Sequence, residues 1–180
     1  LASYLDGTVL CYIFTATNNG GSQAASEGVM TIDGKAPILV LVSPVQDAML
    51  NSNSEFRYIG NDNLAPTLTC SLYVSDVLLN TTAVANGEEN TIPVAESEEG
   101  VNTWYVECTD LVGLTNVSET RTFTLDKTAP TINVTSPAKG SINKAGIPVV
   151  VEVTDSLSGV GNVSYNYLGV DYSNQGALFS

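Results

Sequence analysis

The side chains able to do chemistry in this chain are carboxylates and thiols, because the sequence contains no histidine. Without an imidazole neither a Ser-His-Asp nor a Cys-His arrangement can be assembled, and no glycine-rich phosphate loop occurs. Paired carboxylates can hydrolyse glycosides, but Glu88-Glu89 and Glu98-Glu99 lie in short polar turns with no apolar pocket signal, and read as solvated loop charges. Three aspartates in separate segments, Asp33, Asp62 and Asp110, are of the type that binds Ca²⁺, which takes 6 to 8 oxygen ligands. The three cysteines are Cys11, Cys70 and Cys108. What any of these groups can do depends on the elements that carry them.

Shifted by 93 residues, the chain overlays itself without a gap. Gly7 falls on Gly100, Tyr12 on Tyr105, Asp33 on Asp126, Ala36-Pro37 on Ala129-Pro130, Ser43-Pro44 on Ser136-Pro137 and Asp62 on Asp155. This period is too long for a helical solenoid unit and suits a β-sandwich of about 100 residues. Three units are expected: residues 1–35 as the back part of one repeat, 36–128 as a complete repeat, and 129–180 as the front part of a third.

Within the complete unit, short strands alternate with turn residues. Strands are predicted over 37–43, 54–61, 67–75, 102–110 and 119–126, with weaker ones near 77–85 and 90–96. Leu68, Cys70, Leu72 and Val74 share one face, as do Trp104, Val106 and Cys108, the period of two of half-buried strands. Seven strands at this spacing, with no helical period, predict an all-β fold of tandem Greek-key sandwiches, one complete and two partial.

Trp-Tyr-Val-Glu-Cys-Thr-Asp at 104–110, the run from Thr120 through Asp126-Lys-Thr-Ala-Pro to Ile132, and Ser-Pro-Ala-Lys-Gly at 136–140 resemble the immunoglobulin-like repeats of bacterial and archaeal surface proteins and adhesins. The resemblance implies that the last strand of one repeat runs through a short Asp-x-x-Ala-Pro linker into the next. The chain departs from antibody domains: its third strand has no Trp, and the first Cys of the pair lies on the third strand rather than the second.

Cys70 and Cys108 both point inward by alternation and lie on strands that neighbour one another in this fold, so a disulfide is expected, implying an oxidising compartment; the alternative is two buried free thiols. Cys11 falls on Trp104 in the gapless overlay and is expected to be a buried inert thiol, with an intermolecular bridge as the alternative. In a sandwich of this type Asp33 is delivered to the junction beside Asn61, Asp62, Asn63 and Asp110, and Asp126 beside Asp155. Ca²⁺ is therefore expected at the first junction, against the reading of these groups as ordinary turn residues. Asn-x-Ser/Thr sequons at Asn80, Asn116, Asn133 and Asn162 are candidate glycosylation sites, Asn80 and Asn116 at strand ends and the other two within strands. Tyr165 and Tyr167 fall on Leu72 and Val74 and are expected in a core.

Six basic against 19 acidic residues, a net charge of -13, disfavour nucleic acid and anionic membranes as partners. No run of about 20 apolar residues is present, so no direct membrane insertion is expected of this segment. The function expected is a non-enzymatic, extracellular array serving as a stalk, surface coat or filament. Its partners would be neighbouring repeats, or head-to-tail subunits if the 180 residues are a whole subunit. The alternative is an adhesin or a carbohydrate-binding accessory module of a secreted protein.

Overall fold

Apolar residues at every second position, broken by turn residues, leave the chain no amphipathic helix to form, and every regular element is a strand. A computed structural model describes residues 5–94, 97–167 and 170–174, and no helix occurs among them. None of the described residues therefore belongs to a helix long and apolar enough to cross a membrane.

In chain order, β1 (Val9–Thr17) and β2 (Gln23–Thr31) form a hairpin that, among the described residues, pairs with no other strand. Then come β3 (Ile38–Ser43), β4 (Ala48–Leu50), β5 (Glu55–Asn61), β6 (Thr67–Val74), β7 (Val77–Ala85), β8 (Glu89–Pro93), β9 (Gly100–Thr109), β10 (Thr115–Val117) and β11 (Arg121–Leu125). They build two sheets, one ordered β3-β5-β8 and the other β4-β11-β9-β6-β7, with β10 on β9. Two hairpin pairs follow: β12 (Thr131–Ser136) with β13 (Val150–Thr154), and β14 (Val163–Tyr167) with β15 (Val170–Asn174).

The two sheets of the central unit face one another across a single core. Leu41, Phe56 and Tyr58 come from one sheet and Leu68, Leu72, Val74, Trp104, Val106, Phe123 and Leu125 from the other. Phe56 bridges them, its ring 5.1 Å from Trp104 and 5.5 Å, edge-on, from Phe123. Each such aromatic, buried fully, contributes about 1.5–3 kcal/mol relative to exposure. Where β5 meets β6, a Cβ on Gly60 would lie 2.8 Å from Leu68 Cδ1, so that position admits only glycine without rearrangement.

Two short strands had no sequence forecast. β4 runs parallel to β11, with Leu50 opposite Leu125, and β10 extends the turn after β9. Three residues are too few for alternation to register.

β12–β13 follow the register of β3–β5 displaced by 93: Thr131 faces Thr154 as Ile38 faces Asn61, and the ladder is irregular at Val134/Ser136 as at Leu41/Ser43. The β1–β2 hairpin departs from the gapless overlay. In the central unit Phe123 lies opposite Asn102, which a uniform displacement would turn into Met30 opposite Val9. Met30 instead pairs with Leu10. The turn agrees: Asn18 Oδ1 accepts from Gly20 N and Ser22 N, as Asp110 Oδ1 accepts from Val112 N and Leu114 N. Matching the two turns aligns β1 with β9 at a displacement of 92, which sets Tyr12 against Trp104, Phe14 against Val106 and Ala16 against Cys108.

Candidate metal centre

Three loop and strand-end aspartates, one from each of three chain segments, converge at the end of the central unit. Asp33 follows β2, Asp62 begins the β5–β6 turn, and Asp110 begins the turn after β9. One carboxylate oxygen from each lies within 4.8 Å of one from each of the others. Ligands at roughly 2.3–2.6 Å from a common Ca²⁺ can be no more than about 5.2 Å apart, so the spacing suits a single ion.

The local sequence explains why Asp62 and Asp110 each have an oxygen to spare. Asp62 is an Asx cap whose Oδ1 accepts from Leu64 N at 2.8 Å and Ala65 N at 2.7 Å. Asp110 does the same with Val112 N at 2.9 Å and Leu114 N at 2.8 Å. In both residues the second oxygen, Oδ2, is buried and receives no hydrogen bond. Asp110 retains only 7% of its exposure. An unpartnered buried carboxylate oxygen costs at least about 1–3 kcal/mol, and mutual repulsion of three carboxylates adds to this. A divalent cation would remove both costs.

A fourth carboxylate adjoins the centre. Asp6 accepts from Gly34 N at 3.1 Å and Asn63 Nδ2 at 3.2 Å, and pairs with Lys35 Nζ at 2.7 Å. The Lys35 hydrogen bond foremost, then that of Gly34, holds its carboxyl at about 2. Asp6 thereby ties the hairpin segment to the β5–β6 turn. Sequence reasoning missed it, although the signal existed: Glu99, 93 residues on, accepts from Lys127 N and Thr128 N at the matching place.

The expected companions of the aspartates divide. Asn63 is turned toward Asp6, and the Asn61 amide oxygen lies beside Gly87. At the second junction Asp126 and Asp155 do meet, sharing Ser158 N at 3.0 and 2.9 Å. Hydrogen bonds from Ser158, and next from Thr128 N, lower the Asp126 pKa. Asp155 there spends Oδ1 on Leu157, Ser158 and Gly159 amides. The adjoining cleft of about 210 Å³ is lined by Thr128, Ala129, Thr131, Thr154, Asp155 and Ser156, with Asp155 its sole carboxylate.

Cys70 and Cys108 are bonded, directly opposite on β6 and β9 with Cα atoms 4.1 Å apart, so the bridge lies within one sheet. Cys11 is exposed rather than buried, on a hairpin exposed on both faces, and the register of β1 places it on the face opposite Tyr12, beside Val29. Tyr165 is also exposed rather than in a core, on a strand that among the described residues pairs with β15; the Tyr167 side chain lies outside the described residues. All four sequon asparagines are exposed. Asn80 lies inside β7 rather than at its end, Asn162 precedes β14 rather than lying within it, Asn133 is on β12, and Asn116 on β10 donates Nδ2 to Pro37 O at 2.9 Å. Glu89 forms an ion pair with Arg57.

No family model matches the chain, and no curated protein matches it.

Proposed function

We propose that the chain is a segment of an extracellular, non-catalytic array of immunoglobulin-like β-sandwiches, a stalk, surface coat or filament, whose first junction is stiffened by Ca²⁺. The observation that carries this reading is the convergence of Asp33, from the end of one unit, with Asp62 and Asp110, from two loops of the next, two of them with a buried unpaired oxygen. An ion held from both sides of a linker with only three residues, Gly34-Lys35-Ala36, between Asp33 and Pro37 removes hinge freedom between the units.

Further support comes from strand order. The arrangement β3-β5-β8 against β4-β11-β9-β6-β7 fits a Greek-key immunoglobulin-like topology. The recurring β12–β13 register and the Asx turns at Asp62 and Asp155 fit tandem repetition. The disulfide fits an oxidising exterior.

Thermal unfolding in Ca²⁺ and in chelator tests this. Ligand at 100 times its Kd stabilises the folded state by about 2.7 kcal/mol, so the melting temperature should rise with Ca²⁺ in the parent and not in Asp110→Asn. Equal melting temperatures with and without Ca²⁺ would reduce the three aspartates to turn caps.

A further inference from the structure

We infer that the Lys35 ammonium is a built-in competitor for the divalent cation of the first junction, and that Asp6 is the positioning residue that keeps it out of the site. This rests on the Ca²⁺ reading above and adds to it a control of that site's affinity.

Three carboxylates aimed at one point attract any cation of the chain that can reach them. Lys35 is such a cation. It follows Asp33 by two residues, and its backbone N donates to Asp33 Oδ1 at 3.2 Å, so its flexible four-carbon stem starts beside a ligand carboxylate. Its side chain is 67% exposed and has room to swing. The hydrogen bond and charge of Asp6 keep the amine protonated, and the charge of Asp33 adds to them, so Lys35 already feels a member of the cluster. An ammonium turned onto Asp33 would neutralise one of the three carboxylates and would have to leave before Ca²⁺ could take them all.

Asp6 holds the ammonium elsewhere. Its side chain is 15% exposed and fixed from two further directions, by Gly34 N at 3.1 Å on Oδ1 and by Asn63 Nδ2 at 3.2 Å on Oδ2, which also takes Lys35 Nζ at 2.7 Å. The acceptor is therefore rigid and the donor mobile, and the acceptor decides where the pair forms. Asn63 adjoins Asp62, so the anchor of the ammonium is fastened to the same turn that supplies a ligand. With the pair made, the charges of Asp6 and Lys35 offset one another and Asp33, Asp62 and Asp110 are left to the ion.

At the second junction the same positions are built differently. Displaced by 93, Lys35 becomes Thr128 and Asp6 becomes Glu99, which accepts from the backbone N of Lys127 and of Thr128. Asp126, in the place of Asp33, has both oxygens engaged by backbone N–H groups, Oδ1 by Thr128 and Oδ2 by Ser158. An acid bonded to backbone amides is thus enough to tie a linker down. The ammonium at the first junction is an addition beside the three converging aspartates.

Calcium titration of the intact chain and three variants tests this. Asp6→Asn keeps an oxygen for Gly34 N while releasing Lys35, and should weaken Ca²⁺ binding roughly fivefold or more, because one ligand charge is then answered by the ammonium. Adding Lys35→Gln to it should return binding to within about twofold of the parent, a recovery that damage to the junction's structure cannot produce. Lys35→Gln alone should leave binding unchanged or tighter, and all three variants should melt in chelator close to the parent. Unchanged binding by Asp6→Asn, a deficit that Lys35→Gln does not repair, or weaker binding by Lys35→Gln alone would overturn the competitor and leave the Ca²⁺ site standing. A parent that binds no Ca²⁺ would overturn the site and this role with it.

Discussion

The same strand positions meet opposite fates in the central unit and in its flanks. Trp104 on β9 is fully buried, whereas Tyr12, in its place on β1, is 45% exposed. Leu41 and Leu72 are buried, and their counterparts Val134 and Tyr165 are exposed. β6, β12 and β14 alternate apolar and polar side chains while β1 and β3 carry continuous apolar runs, Val9–Phe14 and Ile38–Val42, and either pattern is a property of a few consecutive residues. Burial depends on whether a second sheet is present to receive the apolar face, which involves residues tens of positions away. Amphipathic strands are therefore only half of a fold, and an exposed apolar strand face marks a place where another piece of chain belongs.

The largest expected difference between the regions is in large-to-small substitution. Trp104→Ala should cost about 3–5 kcal/mol of unfolding free energy, while Tyr12→Ala should cost less than about 0.5 kcal/mol. Chemical denaturation followed by the central unit's fluorescence for the tyrosine variant, and by circular dichroism for the tryptophan variant, compares them. Equal losses would mean that the hairpin already packs as the central unit does.

Replacing the Cys70–Cys108 bridge with two valines should lower stability by about 4 kcal/mol, the loop-closure value for a separation of 38 residues. Cys11→Ser should stay within about 0.5 kcal/mol, since its side chain faces outward. A large effect at Cys11 would place it in a core and undo the register assigned to β1.

Tyr58 shows the reverse sign. Its hydroxyl is buried without a hydrogen bond, and burial raises its pKa. Tyr58→Phe should therefore stabilise the central unit by about 1 kcal/mol or leave it unchanged; a marked loss would reveal a partner for the hydroxyl. The following repeat position holds Val151, already apolar.

The smallest effect concerns pH. Asp6 is depressed to about 2 by Lys35 and Gly34, so its contribution is complete above the ordinary carboxylate range near 4 and disappears as pH falls through about 2. Lys35, raised by the same partner, contributes until pH climbs through its elevated pKa. Lys35→Ala should move the Asp6 titration upward, read by carboxyl NMR, with little change in unfolding. An unmoved titration would mean that Gly34 and Asn63 alone depress Asp6.

Much of this was legible in the residues. Parity on β6 and β9 brought Cys70 and Cys108 to one face, and strand-end positions brought Asp33, Asp62 and Asp110 to one junction. Parity fails where a single residue is gained and then lost. Gly7 with Gly100 and Asp33 with Asp126 anchor the gapless overlay at both ends, so the one-residue slip of β1 between them is invisible, and Cys11 was put on the wrong face. β4 escaped because its pairing is a backbone matter that three residues cannot advertise. Asp6 escaped because its partner Asn63 is 57 residues away in another unit.

Calorimetric titration of the intact chain with Ca²⁺ tests the junction most directly. Binding should saturate at a single class of site, weaken by roughly tenfold or more in Asp33→Asn because one charged ligand is lost, and be unchanged in Asp126→Asn. No heat of binding and no change in melting temperature, or equal binding by Asp33→Asn, would contradict a Ca²⁺ ion held between the units.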